Sequence, residues 1–181
     1  ITGGPGTGKT TIIDGILDAY LSMHQLNKAD YEVGDMVALM APTGRAAKRM
    51  REVLGFQAKT IHSTLGFSFD GGFGYDQFSP LPHQLIIIDE ASMIDLFLAN
   101  QLFDAIRNDA QVIIVGDVDQ LPSVGPGQFL EDLIQSNICA VVRLTEIHRQ
   151  AEHSQIIHLS QQVNQMRVAY EDVITQEDVF V

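Results

Sequence analysis

The stretch Gly3-Gly4-Pro5-Gly6-Thr7-Gly8-Lys9-Thr10 constrains this chain more than any other. It satisfies the phosphate-loop pattern G-x-x-x-x-G-K-[ST] at every fixed position. Glycines let the backbone curl until successive N–H groups converge on phosphate oxygens, and the following helix adds the positive end of its dipole. In that arrangement Lys9 reaches the β- and γ-phosphates and the Thr10 hydroxyl sits on Mg²⁺, with Thr11 continuing the binding run. Such a loop should leave a buried strand, yet only Ile1 and Thr2 precede it. The expectation is a chain cut just inside its first strand, a piece of a larger protein.

The rest of the chain supplies the sheet that the loop requires. Ile12, Ile13, Ile16, Leu17, Tyr20 and Leu21 recur at helical spacing over Thr11 to Gln25. Met36 to Ala41 is a short apolar run stopped by Pro42, which reads as a buried strand. Further strands are expected at 85–88, 112–115 and 140–144. Helices are expected at 44–54 with Gly55 as stop, at 94–106, at 127–135 and at 151–166. This alternation predicts an α/β fold, a parallel sheet with helices on both faces. Chemistry then belongs at the carboxyl ends of the strands. One segment breaks the pattern. Phe67 to Pro82 sets Phe67, Phe69, Phe73, Tyr75 and Phe78 around three glycines, a hairpin signature. It reads equally as a core hairpin or as a protruding one whose aromatic side chains meet a base or a partner.

Candidate chemistry follows the strands in order. Ile86-Ile87-Ile88-Asp89-Glu90 ends a buried run with two acids, which repel each other unless a cation sits close by. A Mg²⁺ held at Thr10 and Asp89 resolves this, leaving Glu90 to orient and deprotonate an attacking water. One strand later comes Gly116-Asp117-Val118-Asp119-Gln120. There Gln120 suits sensing a γ-phosphate and its water, and the stiff loop from Pro122 to Gly127 suits transmitting that state. Asp119 reads alternatively as a helix cap. After the fourth strand, Arg149 is placed to stabilise transition-state charge, or else is a surface ion-pair partner. Ala41-Pro42-Thr43-Gly44-Arg45 and Thr60-Ile61-His62-Ser63 are candidate nucleic-acid contacts through Thr43, Arg45, Thr60 and His62. Each is also a plausible helix cap. His148, His153 and His158 recur every fifth residue, which stacks them on no helical face, and no metal cluster is assigned to them.

Charge complicates a nucleic-acid reading. Eleven basic and twenty-three acidic residues give a net charge of −12, the wrong sign for coating a polyanion. The distribution is less hostile, because Arg45, Lys48, Arg49 and Arg51 fall in an acid-free stretch from Ala41 to Arg51. Cys139 has no partner for an intramolecular bridge and lies in an apolar run, so a buried, inert thiol and a cytoplasmic setting are expected. No apolar run reaches the ~18 residues of a membrane span.

The ordered series GGPGTGKT, APTGRAA, TIHSTLG, IIIDEASM, GDVDQLPSVGPGQ and LTEIHRQ resembles the first motor domain of a superfamily-one DNA helicase of the RecD type, the exonuclease V alpha-subunit family. The wording GDVDQLPSVGPG is most similar to the stand-alone RecD-like branch. The resemblance implies a RecA-like P-loop NTPase domain over 1–166, with 67–82 as an inserted strand-separating hairpin. An acidic segment, 167–181, then leads towards a second motor domain of the same full-length protein. It implies ATP and Mg²⁺ as cofactors and movement 5′ to 3′ along single-stranded DNA with duplex unwinding, in DNA repair or recombination and with possible nuclease subunits. By the same resemblance Lys9, Thr10, Asp89, Glu90, Gln120 and Arg149 form the ATPase site, while Thr43, Arg45, Thr60 and His62 face DNA. Motifs of a second motor are absent from this sequence, so weak nucleotide binding and slow hydrolysis are expected of it in isolation. The alternative is a nucleotide-switched ATPase module that regulates a partner without unwinding.

Overall fold

The computed structural model describes residues 1–146. The helix expected at 151–166, the acidic segment 167–181 and Arg149 lie outside the described residues.

Strands β1 (Thr2–Gly3), β2 (Val37–Ala41), β3 (Ala58–Thr60), β4 (Leu85–Ile88), β5 (Gln111–Ile114) and β6 (Arg143–Leu144) pair in parallel throughout. Four form a sheet in the order β3-β2-β4-β5, and β1 pairs with β6. The two parts are joined where β5 ends: a parallel bridge links Thr2 to Gly116, and the Gly116 N–H donates to the Ile1 carbonyl at 3.2 Å. The strand leading into the phosphate loop is therefore not beside the strand ending in Asp89, because the exit from β5 lies between them. Two strand spacings, about 9–10 Å, separate loop from carboxylates, which leaves room for phosphates and a metal.

Alternation along each strand builds two cores. On β4, Leu85 and Ile87 join one cluster with Ile13, Leu17 and Leu21 of helix α1 (Lys9–Met23) and Ala47, Met50 and Leu54 of α3 (Gly44–Leu54). Ile86 and Ile88 point the other way, to Ile61 of α4 (Ile61–Thr64), Leu98 and Leu102 of α5 (Leu96–Asp104) and Leu130 of α6 (Phe129–Gln135). Side chains one residue apart on a strand face opposite sides, so a fully apolar run demands helices on both faces, as expected of an α/β sheet. A short α2 (Val33–Met36) leads directly into β2. The stop expected at Gly55 is there: φ is 61° and its N–H closes on the Arg51 carbonyl at 3.1 Å.

The structure differs from the expectations at four points. Strand β3 and helix α4 were not foreseen, since three residues with an exposed Lys59 carry no periodic signal. In Phe67 to Pro82 the pairing is confined to one antiparallel bridge, Ser68 with Gly72. Beyond it Asp76 accepts from the N–H groups of Phe78 and Ser79, a local turn that competes with a second strand. Cys139 is exposed rather than buried. The strand expected at 140–144 reduces to Arg143–Leu144, and the run before it is covered by no described element.

Candidate nucleotide site

The phosphate loop turns between β1 and α1 with Gly6 at φ 78° and Gly8 at φ 83°, left-handed values that a side chain would oppose. Thr7 is buried and donates its hydroxyl to the Gly4 carbonyl at 2.8 Å. The Lys9 ammonium folds over the loop, donating to the carbonyls of Gly3 at 2.6 Å and Gly4 at 3.0 Å. These bonds tie the Thr7 and Lys9 side chains to the carbonyls at the start of the loop.

A cleft of about 510 Å³ opens in front of the loop. Pro5 to Thr11 line one wall, Ala46, Arg49 and Met50 of α3 another, and Asp89, Glu90 and Gln120 also border it. The structure thus brings together the loop residues, both carboxylates and the glutamine. Thr43, Arg45, Thr60 and His62 stand elsewhere, and Arg149 lies outside the described residues.

Burial raises the Asp89 carboxyl above its ordinary range, opposed by the Glu90 N–H that it accepts at 2.9 Å and by the charges of Lys9 and Arg49. Glu90 is raised too, first by burial and then by the neighbouring Asp89 charge. A carboxylate raised in this way makes a better proton acceptor near neutral pH. Glu90 also adopts φ 55° and ψ 39°, a left-handed backbone that costs an ordinary residue about 1–2 kcal/mol. Strain of this kind persists where surrounding structure enforces it. Here the next residue is pinned, with the Ala91 N–H donating to the Val115 carbonyl at 3.0 Å.

Hard oxygens of Thr10 and Asp89 share the cleft, a donor set suited to Mg²⁺. No cluster of three or more His, Cys, Asp or Glu residues that could cage a metal occurs among the described residues.

Two contributors escaped the sequence reading. Asp117 is 1% exposed and accepts from the Asp119 N–H at 3.1 Å and from Gln120 Nε2 at 3.3 Å, so it fixes the orientation of the glutamine amide. The available signal was an acid ending a buried strand three residues before that amide. Arg49 was grouped with a basic surface, but it lines the cleft. Packing behind the site is tight: a Cβ on Gly116 would meet Leu130 Cδ2 at 2.6 Å and the N atoms of Ala91 and Ser92 at 3.2 Å.

The nucleic-acid candidates share the same sheet edge. Ala41 is in register with Thr60, so their segments leave adjacent strands side by side. Both threonines cap helices: Thr43 Oγ1 accepts from the Ala46 N–H at 3.2 Å and Thr60 Oγ1 from the Ser63 N–H at 3.1 Å. Capping uses each oxygen as acceptor and leaves its O–H free to donate to a phosphate. The ring of His62 lies 5.5 Å from that of Phe67, edge-on, and 5.8 Å from that of Phe73. That contact ties this segment to the aromatic one.

Residues 1–126 match the family model described as AAA domain. The chain is 40% identical over 157 residues to the ATP-dependent RecD2 DNA helicase of Deinococcus radiodurans, covering 87% of this chain and 20% of that protein. It is 38% identical over 150 residues to the RecBCD enzyme subunit RecD of Mycobacterium tuberculosis, covering 74% of this chain and 26% of that protein. It therefore spans about a fifth to a quarter of the curated relatives it matches. Its fold is similar to that of the Pif1 helicase from Candida albicans, with TM-score 0.64 and 25% identity over 95% of this chain and 41% of that one. It also shares a fold with the Bacteroides Pif1 helicase in complex with ADP-AlF3 and ssDNA, with TM-score 0.57 and 22% identity over 95% of this chain and 43% of that one.

Proposed function

The chain belongs to the AAA domain family, and on that premise we propose that it is the first motor domain of a RecD-type DNA helicase, hydrolysing ATP to move 5′ to 3′ along single-stranded DNA and unwind duplex. One observation carries the reading: the phosphate loop, Asp89, Glu90 and Gln120 converge on one cleft, and the segments of Thr43 and Thr60 leave neighbouring strands at the same sheet edge. Phosphates and a strand would then be gripped by one rigid element.

In this reading the loop N–H groups and Lys9 hold the β- and γ-phosphates. Thr10 and Asp89 hold Mg²⁺, which when bound neutralises phosphate charge. Glu90 takes the proton of the attacking water and Gln120, steadied by Asp117, orients that water. Arg149 adds charge stabilisation at the γ-phosphate. Thr43 and Thr60 donate their free O–H to DNA phosphates, with Arg45 and His62 beside them. A second motor domain of the same full-length protein closes the cleft, and nuclease or recombination subunits are candidate partners. No described helix is long and apolar enough to cross a membrane. A cytoplasmic DNA repair role fits the reading.

The test uses the full-length protein on duplexes carrying a 5′ or a 3′ single-stranded tail, with Lys9→Ala as control. ATP-dependent separation of the 5′-tailed duplex alone is the expected result. The net charge of −12 favours the second reading, a nucleotide-switched module regulating a partner. ATP hydrolysis without separation of either duplex would decide for it.

A further inference from the structure

Arg49 has no role in the assignments above, yet it stands in the nucleotide cleft. Its place follows from helix geometry. Ala46, Arg49 and Met50 are spaced i, i+3 and i+4 on α3, so they form one stripe facing the phosphate loop. Met50 is buried and anchors the stripe, while the Arg49 side chain is exposed to the cleft. Two other cations on the same helix are occupied: Lys48 pairs with Glu52 at 3.7 Å, and Arg51 donates to the Ala58 carbonyl at 3.0 Å. Arg49 takes part in no ion pair or side-chain hydrogen bond among the described residues.

Asp89, Glu90 and Gln120 mark the end where a terminal phosphate and its attacking water belong. Arg49 borders the same cleft as Asp89, Glu90 and Gln120, as Lys9 does. An arginine with free N–H groups, held on a rigid helix beside two carboxylates, suits a phosphate that arrives between them.

We propose that Arg49 is a second cation for the terminal phosphate of ATP, delivered by α3 to the cleft that Lys9 also lines. The proposal rests on the nucleotide-site reading and deepens it. It also gives α3 two working ends, because Arg45, a candidate strand contact, lies one turn or about 6 Å earlier on the same helix.

The experiment measures binding of ATPγS and of ADP, each with Mg²⁺, to the full-length protein by calorimetry. Arg49→Ala should weaken ATPγS about tenfold and change ADP less than about twofold. Arg49→Lys should recover only part of the loss, since a point charge replaces a planar fork. Lys48→Ala, which removes the same charge from the same helix, should move neither nucleotide. If Arg49→Ala leaves both affinities unchanged, or weakens both equally, the terminal-phosphate role is overturned while the site reading stands. If Lys9→Ala leaves ATPγS binding intact, the site reading itself falls and the proposal with it.

Discussion

The nucleotide cleft and the aromatic segment Phe67–Pro82 are built by opposite means. The cleft is made of backbone and of side chains at strand ends. Glycines curl the loop, Asp89 and Glu90 follow directly on the end of a buried strand, and Gln120 is tied to a buried Asp117. The aromatic segment has one bridge and otherwise depends on which rings find cover. Phe73 and Tyr75 pack against the core around Ile61 and Leu65, whereas Phe69 is 99% exposed and Phe78 is 86% exposed. A site fixed by sheet geometry should lose chemistry without losing fold. In a segment held by side chains the two should separate residue by residue.

The largest effect expected is on turnover. Glu90→Gln keeps the size and much of the hydrogen bonding of the side chain but removes the proton acceptor. Steady-state ATPase of the full-length protein should fall about 10²- to 10³-fold with ATP affinity retained. Normal turnover in that variant would end the assignment of Glu90 as base. Next comes binding. Lys9→Ala should weaken ATP about 100-fold in titration calorimetry. Among the described residues its side chain bonds just to two loop carbonyls, so thermal unfolding without nucleotide should stay nearly unchanged.

The aromatic segment should divide. Phe73→Ala removes a ring tilted against that of Phe67 at 5.0 Å and packed on the core, and should cost about 1–3 kcal/mol in denaturant unfolding. Phe69→Ala removes a ring in solvent and should change stability by less than about 0.5 kcal/mol. If the proposed strand-separating role holds, that silent variant should still slow duplex separation several-fold while leaving DNA-stimulated ATPase intact. Equal stability losses at both positions would erase the distinction between the inward and outward rings.

The same contrast governs what was legible in the sequence. Strands β2 and β4 are apolar on both faces, so Val37–Ala41 and Leu85–Ile88 announced themselves as runs without knowledge of their neighbours. The loop, Asp89, Glu90 and Gln120 were legible because their spacing is set by local backbone geometry at strand ends. Arg49 was not, since only the docking of α3 brings the stripe of Ala46, Arg49 and Met50 to the cleft in front of the loop. Strand β3 was too short to show a period, and its burial comes from pairing with β2. Cys139 shows the converse error. An apolar run was read as covered, but hydrophobicity in sequence does not supply the covering element. For Phe67–Pro82 the sequence left the two readings balanced; packing covers Phe73 and leaves Phe69 exposed.

The smallest effect concerns the cost of keeping the cleft ready. Burial holds the Asp89 carboxyl above its ordinary value of 3.8. Between that value and the raised one, the folded chain binds more protons than the unfolded chain, so stability falls as pH rises through this window and stays at the lower level above it. Lys9 and Arg49 offset part of the penalty without removing it. Asp89→Asn deletes the charge, so without nucleotide the variant should melt about 1–3 °C above wild type at neutral pH, with the gap closing as pH falls toward 3.8. Saturating ATP with Mg²⁺ should invert the order, because only wild type keeps the Asp89 oxygens for the metal and gains stability from linked binding. A variant less stable than wild type at every pH would mean that Lys9 and Arg49 already compensate Asp89 fully. The carboxylate would then belong to the scaffold as much as to the chemistry.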